Sequence, residues 1–97
     1  MQSDRKSEEI QRRIKLSIAA YAYEIKDDSI MSDESFDEES RKVDLSISTG
    51  NRKMDNFFKK HFTPDTGQWI HKHPHLKRIH ELYTNIFTTR RNHNDRK

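Results

Sequence analysis

SEEIQRRIKLSIAAYAYEI, residues 7–25, decides the fold class. Ile10, Ile14, Ile18, Tyr21 and Ile25 recur at spacings of 4, 4, 3 and 4, which places them on one face of an α-helix. Ser7 supplies an N-cap, and Glu8 and Glu9 match the helix dipole in the first turn. Leu16, Ala20 and Tyr23 widen the apolar stripe, so this helix is expected to meet partners on two sides.

Beyond it, Asp27-Asp28-Ser29 reads as a loop, and Ser32 or Asp33 as the cap of a second helix. Phe36, Val43 and Ile47 then give a thinly apolar helix to about Leu45. Ser48-Thr49-Gly50-Asn51 breaks it. Met54, Phe57, Phe58 and Phe62 form the aromatic face of a short third helix. Thr63-Pro64-Asp65-Thr66-Gly67 is turn chemistry. Pro74 suits the first turn of a fourth helix, whose apolar side is Leu76, Ile79, Leu82, Tyr83, Ile86 and Phe87. With two Gly, two Pro and no strand-like alternation, the expectation is an all-α bundle of about four helices. It forms a single helical domain over 1–89: a helix pair at 7–47, an insert with a short helix at 48–73, and a C-terminal helix at 74–89. A flexible basic tail follows at 90–97.

Composition bounds what such a bundle can do. The chain has 97 residues, 30% hydrophobic and 36% charged, enough for one small core. No apolar run approaches the roughly 20 residues of a membrane span. The start, MQSDRKSEEI, has no apolar core and does not read as a signal peptide. Cys is absent, which excludes disulfides and thiolate metal sites. A catalytic apparatus with its own substrate cleft is not expected at this size, so the chain reads as non-enzymatic. His71, His73 and His75 alternate, and in extended chain alternate residues point to opposite faces, so no metal site is expected.

The net charge of +3 conceals segregation. Residues 1–23 carry five basic and three acidic side chains, residues 24–44 three and nine, and residues 45–97 eleven and four. The basic half suits an anionic partner such as nucleic acid, or balances the acidic half within the fold. Lys72, Lys77 and Arg78, with Arg90 and Arg91, form either a phosphate-facing stripe or a solvated face. Asp37, Glu38 and Glu39 form a helix-terminal charge cluster or a surface for a basic partner. Trp69 closes the core between the third and fourth helices or stands exposed as an anchor for a protein partner.

Two runs of residues then carry a resemblance. Tyr21-Ala22-Tyr23-Glu24, followed by Asp33-Glu34-Ser35-Phe36-Asp37, resembles the signature of the N-terminal Ia domain of NAD-dependent DNA ligases, Tyr-x-Tyr-His and then Asp-x-x-Tyr-Asp, at the family's spacing. His73-Pro74-His75-Leu76 is similar to the family's His-Pro-Glu-Leu but lies further along the chain. Small stand-alone relatives from bacteriophage genomes resemble the insert as well, around Phe57-Phe58 and Thr66-Gly67-Gln68-Trp69-Ile70. The resemblance implies a helical pair that binds the nicotinamide mononucleotide half of NAD, with the binding tyrosine at Tyr23, the two aspartates at Asp33 and Asp37, and an aromatic at Phe36. Two positions depart: Glu24 stands for the family's His, and Phe36 for its Tyr. An anion at position 24 repels phosphate. The adenylation motif Lys-x-Asp-Gly is absent, which excludes ligation.

The resulting expectation is a phage-type interaction module in the cytoplasm of a bacterial host. It would bind a host or viral protein or ribonucleoprotein complex, in the manner of an anti-CRISPR or an inhibitor of DNA processing. Its candidate contact residues are Asp37, Glu38, Glu39, Trp69, Lys72, Lys77 and Arg78. The alternatives are an accessory module that takes NAD or nicotinamide mononucleotide through Tyr23, Asp33, Phe36 and Asp37, and a nucleic-acid-binding protein.

Overall fold

The computed structural model describes residues 5–64 and 66–95, with side chains as far as Asn85. Its elements in order are α1 (Arg5–Lys26), α2 (Asp33–Lys42), α3 (Arg52–His61), a 3-10 segment (Gln68–Lys72) and α4 (Leu76–Asp95). No strand occurs among the described residues. The molecule is all-α, as its periodicity predicts.

α1 is the axis, packed against α2, the 3-10 segment and α4. From Leu16 to Ala22 every residue is buried, because neighbours close on α1 from several sides. Leu16, Phe58 and Ile70 lie at the centre of the core, with Ile79 and Tyr83 of α4 completing it. The rings of Phe57, Phe58 and Phe62 surround Trp69 at centroid distances of 5.3–6.2 Å. The aromatic face of the third helix is therefore core.

Local chemistry sets the helix ends. The Ser32 hydroxyl accepts from the Ser35 N–H and caps α2. The Asn51 side chain accepts from the Met54 N–H and caps α3. After α1, Asp27 takes a left-handed φ of 53°, a region that Asp tolerates better than most residues. The Asp28 N–H then returns to the Ala22 carbonyl, and its carboxylate accepts from the Tyr83 hydroxyl at 2.8 Å. The imidazole of His73 accepts the His75 N–H at Nδ1, just ahead of α4.

Several expectations need correction. Ile14 and Ile25 are exposed, and the first half of α1 buries Glu9 and Arg13 instead. Glu9 is therefore an ion-pair partner inside the fold, and only Glu8 stands in the first turn as a match to the helix dipole. α2 ends at Lys42 rather than near Leu45, because the chain at Asp44–Ile47 turns to present two carbonyls to Arg13. Pro74 precedes α4 instead of sitting in its first turn, and α4 runs to Asp95, past the expected end at 89. Asp65, the side chains of Ile86, Phe87, Arg90 and Arg91, and residues 96–97 of the expected tail lie outside the described residues.

Candidate functional site

One end of the α1–α2 pair leaves a cleft of about 300 Å³. α1 supplies Ala19, Ala20, Tyr23 and Glu24. The connecting loop supplies Ser29, Ile30 and Met31, and α2 supplies Asp33, Phe36 and Asp37. Thr66 and Gly67, just before the 3-10 segment, close the far side. The volume is at the small end of the range for small-molecule sites, roughly 300–1,000 Å³.

The periodicity of α1 explains which groups reach the cleft. Ala20 and Tyr23 are three residues apart, and Tyr23 and Glu24 are adjacent at the rim. Tyr21 turns to the opposite side, where its hydroxyl is hydrogen-bonded to His80 Nδ1 at 2.6 Å. Burial raises the Tyr21 phenol above its ordinary pKa. Tyr21 is thus a core residue, whereas Tyr23 is 60% exposed and offers its ring to the cleft. The small side chains of Ala19 and Ala20 leave the floor open. Gly67 lies so close to α1 that a Cβ there would sit 3.1 Å from the Ala20 Cβ and 3.5 Å from Phe36 Cζ. A side chain at that position would fill the cleft from the insert side.

The charge of the cleft has one sign. Glu24, Asp33 and Asp37 line it, and no Lys or Arg does among the described lining residues. Glu24 Oε1 lies 3.3 Å from His71 Nε2, so the 3-10 segment is tied to the rim through this pair. Asp33 stands in the first turn of α2 and is exposed. The three carboxylates do not converge: no group of three His, Asp or Glu among the described residues is placed to hold a metal ion.

All four residues proposed for the nicotinamide nucleotide, Tyr23, Asp33, Phe36 and Asp37, therefore share one cleft. The interaction candidates scatter. Asp37 faces the cleft, Glu38 is exposed, and Glu39 is held by Arg12 and Lys42 at 3.4 Å each, contacts that help keep its carboxyl below the ordinary range against the opposing effect of partial burial. Trp69 is 5% exposed, which overturns its reading as a surface anchor. Its indole is large enough to be enclosed by three Phe rings. Lys72, Lys77 and Arg78 are exposed on the 3-10 segment and α4, and Arg78 pairs with Glu81.

Sequence reasoning missed the small residues of the cleft, Ala19, Ala20 and Gly67, which carry no chemical signature. It also missed a buried ion network. Arg13 donates to Glu9 at 2.7 Å, to Asp55 at 3.0 Å and to the carbonyls of Asp44 and Ile47. Its guanidinium lies 5.3 Å from the Phe58 ring centroid. Asp55 also accepts from the Thr49 hydroxyl and N–H. These hydrogen bonds and the Arg13 charge outweigh burial and hold its carboxyl below the ordinary range. Beside the network lies an open groove of about 370 Å³, lined by Ser46, Ser48, Gly50, Arg52, Asp55, Asn56 and Lys59.

No family model, curated protein or solved structure matches the chain.

Proposed function

We propose that the chain is a non-enzymatic binding module whose working site is the α1–α2 cleft, and that its ligand is the nicotinamide end of NAD or of nicotinamide mononucleotide. The observation that carries this reading is that Tyr23, Asp33, Phe36 and Asp37 line one cleft of about 300 Å³. The lining suits such a ligand. An exposed phenol ring and the Phe36 ring offer faces for a flat heteroaromatic, and carboxylates accept hydrogen bonds from ribose hydroxyls.

The test is a two-dimensional amide NMR titration with nicotinamide mononucleotide and then NAD. Saturable shifts centred on Tyr23, Asp33, Asp37 and Gly67 are expected. Gly67→Val, which fills the cleft against Ala20, should abolish them. Absence of shifts at millimolar concentration with these two ligands and with nicotinamide riboside alike would sink the reading.

A second reading, a phage-type interaction module for a protein, ribonucleoprotein or nucleic-acid partner, draws on the exposed cations Arg52, Lys53, Lys59 and Lys60 of α3. Affinity for DNA that falls steeply with salt would favour a nucleic-acid partner.

A further inference from the structure

We infer that the cleft discriminates by charge: among nicotinamide ligands it favours the hydroxyl-bearing aromatic cation without a phosphate, so that nicotinamide riboside binds more tightly than its 5′-phosphate. This inference rests on the reading of the cleft as a nicotinamide site and names the form of ligand that suits it.

The argument begins with the composition of the walls. Two aromatic rings, Tyr23 and Phe36, and three carboxylates, Glu24, Asp33 and Asp37, line a cleft that carries no Lys or Arg among its described lining residues. Neither the Asp33 nor the Asp37 carboxylate has a hydrogen-bond or ion-pair partner among the described residues. No described side chain neutralises their charges. The carboxylates are spread along the cleft instead of being gathered at a point, so the arrangement does not suit a compact metal ion. It suits a cation whose charge is delocalised over a ring. A pyridinium between an aromatic face and nearby carboxylates gains from the ring quadrupole and from direct Coulomb attraction.

The same walls oppose a phosphate. A phosphoryl group is favoured by cations and charged N–H donors, and the described lining holds no Lys or Arg, only the neutral hydroxyls of Tyr23, Ser29 and Thr66. The Ser29 hydroxyl donates to the Met31 carbonyl at 3.3 Å, and the Thr66 hydroxyl accepts the Gln68 N–H at 3.1 Å. His71, the nearest ionisable donor, is directed to Glu24. A phosphate attached to a ligand seated here meets three carboxylates and gains no cationic partner from the described lining.

The experiment compares nicotinamide riboside, nicotinamide mononucleotide and neutral nicotinamide by amide NMR titration of the full chain, at about 20 mM and about 500 mM salt, conditions that bracket weak and strong screening. The riboside should bind roughly tenfold tighter than the mononucleotide at low salt, about the effect of one or two unscreened charge contacts near a surface. The preference should shrink at high salt, and nicotinamide should bind more weakly than the riboside. In the double variant Asp33→Asn/Asp37→Asn, checked for an unchanged fold by circular dichroism, riboside affinity should fall about three- to tenfold while mononucleotide affinity rises. Equal or tighter binding of the mononucleotide, with shifts at the same residues, would overturn the charge inference and leave the nicotinamide site standing. Absence of binding by all three would overturn both.

Discussion

Two groups of carboxylates show how differently one small fold treats the same chemistry. Glu9 and Asp55 are buried, 1% and 9% exposed, and both are bonded to Arg13. Glu9 also accepts the Asp44 N–H at 3.1 Å, and Asp55 accepts two bonds from Thr49. Every oxygen of this pair has a donor, and the result is a staple that holds the 44–49 segment against α1 and α3. Asp33 and Asp37 have no such partners and face an open cleft. The first pair is consumed by the fold, while the second is left available. A carboxylate that a fold does not need, placed beside an exposed aromatic ring, is where binding chemistry is to be sought.

The contrast predicts its largest effect at Arg13. Arg13→Met leaves Asp55 buried without its cation and Glu9 with only Arg12 at 2.9 Å, which costs about 3–5 kcal/mol in comparable sites, and it strands the Asp44 and Ile47 carbonyls as well. Asp33→Asn and Asp37→Asn should each change stability by no more than about 0.5 kcal/mol. Urea unfolding followed by circular dichroism measures all three. A loss below about 1 kcal/mol at Arg13, within the range of an exposed pair, would erase the distinction between consumed and available charges.

The next effect separates burial from ion pairing through pH. His73 is 6% exposed, its ring tilted against that of Phe57 at 5.1 Å, and its Nε2 meets no polar partner among the described residues. Desolvation, with the neighbouring His75 charge as the smaller cause, depresses its pKa to about 4 from an ordinary 6.5. The unfolded chain therefore takes up this proton first. The stability tied to neutral His73 is complete above about pH 6.5 and is lost as the pH falls toward 4, by about 3 kcal/mol in all. The depressed carboxylates Glu39, Asp44 and Asp55 also favour the folded state above their ordinary range, but their contribution is lost only at lower pH. Stability measured between pH 7 and about 4.5 thus isolates the histidine. His73→Asn retains an acceptor for the His75 N–H and should flatten the slope over this interval. A slope that persists in the variant would assign the effect to other groups.

What could be read in advance follows from the length scale of each signal. Helix number, the Ser32 cap and the aromatic side of α3 depend on neighbours within one or two turns, and periodicity carries that information. The buried side of the first two turns of α1 does not. Ile10 and Ile14 outweigh Glu9 and Arg13 on any hydropathy count, yet the polar pair is buried because Asp55, 42 residues from Arg13, completes it. The early end of α2 has the same origin, since the carbonyls beyond it serve that guanidinium. Trp69 shows the converse: its neighbours suit a core or an anchor equally well, and only the arrival of α3 decides. At the cleft, only the resemblance to the ligase Ia signature singled out the aromatic and acidic walls. Ala19, Ala20 and Gly67 were invisible because their contribution is the absence of a side chain.

The smallest expected effect on stability is also the sharpest test of the contrast. Tyr21 and Tyr23 are two residues apart on α1, but the helix turns them to opposite fates. Tyr21 is buried, meets the rings of His80 and Tyr83 at 5.7 Å, and bonds through its hydroxyl to His80. Tyr23 is 60% exposed at the rim. Tyr23→Ala should cost no more than about 0.5 kcal/mol, whereas Tyr21→Ala should cost about 3–5 kcal/mol by opening a cavity in the core. Ligand affinity should respond in the opposite order. Tyr23→Ala removes the exposed ring face and should reduce riboside binding about tenfold, the scale of one good aromatic contact with a cation. Tyr21→Phe retains the core ring, loses one hydrogen bond and should leave binding within about twofold. If Tyr23→Ala binds as well as the parent chain, the cleft holds nothing through its aromatic wall, and the free carboxylates beside it lose their proposed purpose. If it binds tenfold less at unchanged stability, the fold and the site are separable within a single turn of one helix.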